Sequence, residues 1–284
     1  LESLKEKVRI ATILGTFQST LTNFKYLRKV WKDNTEEERL LGVSLTGIMD
    51  NSILSRMRST LPETLQDMKQ KAVSVNKEWS EKLGIPQSTA ITCVKPSGTV
   101  SQLVDSASGI HARHNPYYIR TVRGDKKDPL TEFMKDQGIP CEDDVMQPNN
   151  AVFSFPMKAD SNAVFRNDMT AIEQLEIWKC YAQHWCEHKP SVTISVKEHE
   201  WVNVGNWCWN NFDTLSGISF LPFSDHTYQQ APYQDIDKAT YEELASKMPE
   251  NINWSELSKF EKEDTTKGSQ ELACTAGSCE LVDI

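Results

Sequence analysis

No stretch of this chain approaches the roughly 20 consecutive apolar residues that a membrane-spanning helix needs, and the N-terminus lacks the charged-then-apolar layout of a signal peptide. A cytoplasmic protein is the expectation. Basic tracts are missing too: 31 Lys and Arg stand against 40 Asp and Glu in 284 residues, a formal charge of −9. Neither a nucleic-acid backbone nor a membrane surface is therefore expected as the main partner, and any bound phosphate must sit at a local site. Cysteine is not dense. Seven are scattered at positions 93, 141, 180, 186, 208, 274 and 279, an odd number that excludes a disulfide scaffold and predicts mostly buried or idle thiols in a reducing compartment. There is no internal repeat and no Walker-type lysine spacing. An initiator methionine is also lacking: Leu1 leads straight into a charged amphipathic segment, which suggests a piece of a longer polypeptide.

What is present is an ordinary globular mixture, 38% hydrophobic and 25% charged, with strands and helices alternating. Leu4, Val8, Ala11, Leu14, Phe17 and Leu21 recur at helical spacing and predict a helix over about 3–30 with one buried face. The apolar, glycine-punctuated run 40–49 reads as a buried strand ending at a close-approach turn. Thr60 and Glu63 have capping-box spacing ahead of a second long helix that Gly84 and Pro86 stop. Residues 88–94 are rich in β-branched side chains and predict a strand running into the turn Lys95-Pro96-Ser97-Gly98-Thr99, after which 100–105 starts a helix. A capped helix over 128–138, a strand over 151–157, a capping-box helix over 170–187, a strand over 191–196, a Trp-rich helix to 212 and a strand over 217–222 complete the pattern. The alternation argues for an α/β architecture with about five mostly parallel strands. From Lys259 the composition turns polar, so 259–284 reads as a flexible tail.

Four constellations carry chemistry. The turn Pro96-Ser97-Gly98-Thr99-Val100 sits between a strand and a helix, where free N–H groups and a glycine can receive an anion and Ser97 and Thr99 add hydroxyls. Taken alone, such a turn is more often a plain turn with a helix cap. Cys274 and Cys279 lie in a polar tail with Gly and Ser between them, free to meet each other and exchange electrons, or incidental. Cys180, His184 and His188 fall at i, i+4, i+8 and could be transition-metal ligands, although a helix spreads the first and last by about 12 Å and an ordinary buried face is the better reading. The segment His111-Ala112-Arg113-His114-Asn115-Pro116-Tyr117-Tyr118-Ile119-Arg120 mixes cations, imidazoles and phenols after Gly109; an anion or cofactor contact and a plain loop entering a strand both fit. Trp201, Trp207 and Trp209 are expected to fill a core.

In order along the chain, Ile13-Leu14-Gly15-Thr16-Phe17-Gln18, Arg39-Leu40-Leu41-Gly42-Val43-Ser44-Leu45-Thr46-Gly47-Ile48-Met49-Asp50, Val94-Lys95-Pro96-Ser97-Gly98-Thr99-Val100-Ser101, His188-Lys189-Pro190-Ser191-Val192-Thr193-Ile194, Phe220-Leu221-Pro222 with Tyr228 to Tyr233, and the terminal cysteine pair resemble the C-terminal half of ribonucleotide reductase large chains. The likeness covers nearly all 284 residues. The resemblance implies half of a ten-stranded α/β barrel over 1–258 followed by a redox tail over 259–284. It implies conversion of ribonucleoside triphosphates to 2′-deoxyribonucleotides by thiyl-radical chemistry. Pro96, Ser97, Gly98, Thr99 and Val100 would hold the substrate phosphates, and Cys274 and Cys279 would re-reduce the active-site disulfide and be reduced in turn by a thioredoxin-like partner. No Asn-x-Cys-x-Glu segment is found, so the radical cysteine and the barrel's cysteine pair would belong to a missing N-terminal half, and this piece would be inactive alone. Pro-Ser-Gly-Thr is most similar to the adenosylcobalamin-dependent (class II) enzymes, because iron-dependent class I large subunits usually carry an acidic residue where Gly98 stands. Corrin contacts would fall after Gly109, with His111, Arg113 and His114 in view.

Overall fold

The computed structural model describes residues 1–97, 100–223 and 228–261. In chain order the regular elements are α1 (Glu2–Gln18), α2 (Lys29–Glu38), β1 (Val43–Ser44), α3 (Leu61–Leu83), β2 (Thr92–Cys93), α4 (Val100–Leu103), β3 (Tyr117–Asp125), α5 (Pro129–Asp136), β4 (Cys141–Asp143), β5 (Asn150–Lys158), α6 (Ala171–His184), β6 (Val192–Val196), α7 (Trp201–Asn210), β7 (Ile218–Pro222), β8 (Tyr233–Asp235) and α8 (Lys238–Ser246). Short 3-10 turns cover Ile48–Asp50 and Trp254–Lys259. The chain splits into two compact units: Leu1–Pro116 with Ala159–Asp225, and Tyr117–Lys158 with His226–Ile284. No helix among the described residues is long and apolar enough to cross a membrane.

The first unit is parallel α/β. β1 pairs β2 in parallel with Val43 opposite Thr92, and β6 pairs β7 in parallel with Val192 opposite Ile218. Backbone bonds tie β2 and Val94 to the segment that leads into β6, since Glu187 and His188 donate to the Thr92 carbonyl and Ser191 donates to that of Val94. Ile91, Thr92, Cys93 and Val94 are all at most 3% exposed, the run of buried residues that a sheet covered on both faces requires. The polar groups there have partners: Thr92 Oγ1 donates to the Trp185 carbonyl, Trp185 Nε1 donates to the Cys93 carbonyl at 2.7 Å, and the Glu187 carboxylate accepts from Ile91 N at 2.8 Å. Helices α1, α3 and α6 cover this sheet with a core that includes Leu65, Met68, Ala72, Leu175, Trp178 and Trp185.

Two helices depart from the sequence expectation. α1 stops at Gln18, and its buried residues are Val8, Thr12 and Thr16, while Leu14 is 63% and Phe17 41% exposed. The threonines can face inward because each hydroxyl donates to the carbonyl four residues back, Thr12 to Val8 and Thr16 to Thr12, both at 2.8 Å. Asn76 of α3 donates to Thr16 Oγ1 and Ser88 Oγ and accepts from Ser88 N, each at 3.0 Å, so a satisfied polar knot replaces an apolar stripe. Ser19 and Thr20 end the helix by taking the carbonyls of Thr16 and Phe17. Of the α7 tryptophans only Trp207 is buried; Trp201 is 39% and Trp209 81% exposed. Trp178 and Trp185, both 0% exposed, join Trp207 in the core.

The second unit is antiparallel, with strand order β4-β5-β3-β8. Strand 151–157, expected in the parallel sheet, is β5 here and pairs β3 in nine-residue register, from Tyr117 opposite Lys158 to Asp125 opposite Asn150. Ala151, Phe153 and Phe155 share one face by the two-residue period and pack with Ile139, Met134, Met248 and Ile252. Phe133 of α5 sits against the rings of Trp254 and Phe260, at 5.4 and 5.7 Å.

Candidate functional site

The loop that leaves β2 is built so that its two limbs meet. Lys95, Pro96 and Ser97 form the outgoing limb, α4 follows the turn, and Asp105 to Gly109 return. Gly109 has φ +54, and a Cβ there would lie 3.0 Å from the Lys95 carbonyl oxygen; only glycine lets the limbs approach this closely without strain. Ser97 N donates to Ser108 Oγ at 2.9 Å, and Ser101 Oγ donates to the Ser97 carbonyl at 2.8 Å. At the base, Lys95 N donates to Ser44 Oγ at 3.1 Å, and the Lys95 ammonium donates to the Lys189 carbonyl and to Ser191 Oγ. The ammonium is therefore committed to the approach to β6.

The turn between β1 and the 3-10 turn Ile48–Asp50 holds the loop from below. Gly47 N donates to the Ala107 carbonyl at 2.7 Å. The Asp50 carboxylate accepts from Ala107 N at 2.6 Å and from Arg113 Nε at 2.9 Å, and Arg113 also reaches the Asp105 carboxylate at 3.2 Å and the Asp105 carbonyl. Arg113 is 4% exposed, so these acceptors neutralise and hydrogen-bond a charge that burial would otherwise penalise by several kcal/mol. Asp105 takes φ +45 and turns its carbonyl toward this guanidinium.

His111 ties the returning limb to the sheet. Thr193 N of β6 donates to its Nε2 at 3.0 Å, so the proton resides on Nδ1, which donates to the Ser108 carbonyl at 3.0 Å. Burial holds the imidazole below its ordinary pKa, against a smaller opposing effect of the Ser108 carbonyl.

Of the sequence-derived site residues, Pro96 and Ser97 follow β2 and Val100 opens α4. Gly98, Thr99, Cys274 and Cys279 lie outside the described residues. Ser97, expected to supply a hydroxyl donor, is engaged within the loop: its N–H bonds Ser108, and its Oγ lies 3.2 Å from Thr46 Oγ1. His111 and Arg113 are taken up by internal partners, and His114 is half-buried in the loop that enters β3. The segment runs as a loop into β3, which begins at Tyr117. The three-residue metal set does not assemble. His188 lies beyond α6 with Nε2 on the Leu41 carbonyl at 2.6 Å, His184 Nδ1 meets Gln66 Nε2 at 3.0 Å, and Cys180 is buried. No group of three metal-binding side chains occurs among the described residues. Reading by sequence missed Thr46, Asp50 and Ser108; the run Leu45-Thr46-Gly47-Ile48-Met49-Asp50 was the available signal.

No family model matches the chain. It is 28% identical to the adenosylcobalamin-dependent ribonucleoside-triphosphate reductase of Euglena gracilis, over 98% of this chain and 41% of that protein. The enzyme of the same name from Lactobacillus acidophilus is 26% identical, again over 98% and 41%. The chain is a homologue of these reductases. It spans about two fifths of their length. A crystal structure of a B12-dependent (class II) ribonucleotide reductase superposes on 92% of the chain and 40% of that reductase, with a TM-score of 0.78 and 23% identity, which shows that the fold is shared with the reductase.

Proposed function

We propose that this chain is the C-terminal part of an adenosylcobalamin-dependent ribonucleoside-triphosphate reductase. The alignment with such reductases along 98% of its residues is the observation that carries the reading. On this proposal the chain contributes half of the reductase's ten-stranded barrel and two functions. The first is to hold the triphosphate of a ribonucleotide at Pro96, Ser97, Gly98, Thr99 and Val100. Since both Ser97 donors are engaged in the loop, the anion is left to the amides and hydroxyl that follow Ser97, at the N-terminal end of α4, where the helix dipole favours negative charge. Glycine at 98 lets phosphate oxygens approach the main chain.

The second function belongs to Cys274 and Cys279. Each turnover that replaces a 2′ hydroxyl by hydrogen consumes two electrons. The tail dithiol delivers them by thiol–disulfide exchange to the oxidised cysteine pair of the companion part, becomes a disulfide itself, and is returned to the dithiol by a thioredoxin-like reductant. The named relatives are adenosylcobalamin-dependent, and on this reading the same cofactor, when bound, would supply the radical that starts the reaction. His111 and Arg113 do not fit as corrin ligands: both ring nitrogens of one and the guanidinium of the other are bonded inside the first unit. The radical cysteine belongs to the missing N-terminal part, so the chain by itself is inactive, and the reaction is placed in the cytoplasm. A class I iron-dependent fragment is disfavoured by the relatives' names, and a helical metal protein by the dispersal of Cys180, His184 and His188.

The test uses the complete reductase. Replacing Cys274 and Cys279 by serine should abolish deoxyribonucleotide formation driven by thioredoxin and leave turnover with dithiothreitol within about twofold. Equal loss with both reductants would sink the role of the tail, and absence of adenosylcobalamin-dependent turnover in the parent would sink the reading as a whole.

A further inference from the structure

Resting on the reading of the chain as one part of a longer reductase, we infer that α1, α2 and the segment between them form the surface on which the companion part docks, and that the docked surface is acidic around an apolar centre. Apolar side chains are concentrated here without cover. Tyr26 is 97% and Leu21 72% exposed, and Leu14, Leu27, Trp31 and Leu40 are each more than half exposed. Six large apolar side chains open to water within residues 14–40 are more than the scattered singles of a finished surface, and such a concentration marks a protein interface.

The surface is preformed. A groove of about 620 Å³ opens between α1, α2 and residues 40–44, with Leu14, Gln18, Leu21, Thr35 and Leu40 among its lining. Two bonds clamp its walls together: Thr22 Oγ1 donates to the Glu36 carboxylate, and Arg39 Nη1 donates to the Ser19 carbonyl, each at 2.7 Å. Trp31 precedes Thr35 by about one turn, and the Thr35 hydroxyl donates to its carbonyl at 2.7 Å, so the four-residue spacing sets the indole on the groove side of α2. An apolar side chain can enter without rearrangement of the walls.

Charge defines what surrounds that side chain. Between Val8 and Lys32 the sequence has no acidic residue, and Lys25, Arg28, Lys29 and Lys32 fall within eight positions, in a chain of net charge −9. Lys25, Arg28 and Lys29 make no ion pair among the described residues, and Lys32 has only Glu36 at 3.8 Å. Cations bordering exposed aromatics call for a partner that brings carboxylates around an apolar centre. An extended polyanion does not fit, because Asp33, Glu36, Glu37 and Glu38 follow at once and would repel a nucleic acid or an anionic bilayer. A protein surface with local acidic groups meets the cations without meeting those acids. About three fifths of each named relative has no counterpart in this chain, which is ample to supply it.

Acetylation of amines by an N-hydroxysuccinimide ester, read residue by residue by mass spectrometry, compares the 284-residue chain with the complete reductase. Lys25 and Lys29 should react freely in the chain alone and about tenfold more slowly in the complete reductase, since a docked surface meets reagent only when it opens. A water-soluble carbodiimide should join the same amines to Asp or Glu of the companion part within one polypeptide. The triple variant Lys25→Glu, Arg28→Glu, Lys29→Glu should leave the thermal midpoint of the chain alone unchanged, because all three side chains are exposed, and should lower that of the complete reductase by several degrees. Equal acetylation of Lys25 and Lys29 in the two parent proteins would overturn the inference whatever the variant does, and so would cross-links found only between two copies, at twice the mass. Absence of adenosylcobalamin-dependent turnover in the complete parent would instead overturn the reductase reading, which protection of the two lysines does not test.

Discussion

At the scale of single residues, the site depends on where a few protons sit. His111 is informative because its tautomer follows from its neighbours: a backbone amide donates to Nε2, so a second proton there would face another donor. Burial depresses its pKa, which gives the pH dependence a definite sign. Above the ordinary histidine value neither the folded nor the unfolded chain binds the extra proton, and the contact contributes in full. As pH falls through that value the unfolded chain gains a proton that the folded chain refuses, so stability is lost. A single such group changes the unfolding free energy by at most about 1.4 kcal/mol per pH unit. Urea unfolding of the parent should therefore shift to lower midpoint between pH 7.5 and 5.5, and His111→Gln, which can still donate and accept but does not titrate, should shift less. Equal shifts in the two proteins would mean that His111 is not the group responsible.

At the scale of elements, the glycines separate strain from collision. Gly84 ends α3 with φ +65 and open space where a Cβ would lie, whereas Gly217 precedes β7 with φ +45 and a Cβ position only 2.5 Å from the Pro190 carbonyl oxygen. Gly84→Ala should cost the left-handed penalty alone, about 1–2 kcal/mol. Gly217→Ala should cost clearly more, because backbone must move where the Gly217 carbonyl accepts from Val192 N and sets the β6–β7 register. Thermal unfolding of the two variants side by side checks the order; a smaller shift for Gly217→Ala would refute it. The same locality explains what could be read in advance. The capped helix α6 depends on neighbours within a few residues and was legible; the Thr170 and Glu173 box forms in full. The equally good spacing of Thr60 and Glu63 makes no side-chain cap, since Thr60 itself takes helical φ and ψ there. The face of α1 was misread because Asn76, 60 residues away, makes inward threonines acceptable. Thr46 escaped for the same reason: its partners lie 51 to 63 residues downstream.

At the scale of the whole molecule, the five cysteines among the described residues sort by environment, and that sorting provides the background for a test of the electron-carrying role of the tail. Cys93 and Cys180 are buried, and Cys186 and Cys208 are partly so. Burial raises all four thiols, Cys180 to about 11 and Cys186 to about 12, so near neutrality the reactive thiolate form is scarce. Cys141, on the edge strand β4 of the second unit, is exposed. Iodoacetamide at pH 7.5 should accordingly alkylate Cys141, Cys274 and Cys279 quickly, and Cys93, Cys180 and Cys186 only after denaturant is added. Oxidation with diamide beforehand then distinguishes a working dithiol from two incidental thiols. Four residues separate Cys274 from Cys279, so an intramolecular disulfide should form, protecting both from alkylation while Cys141 still labels, and thioredoxin should restore them. Labelling of Cys274 and Cys279 that diamide leaves unchanged, or a disulfide that thioredoxin cannot reduce, would remove the tail from the electron path while leaving the phosphate turn untouched, because the two proposals rest on separate parts of the chain.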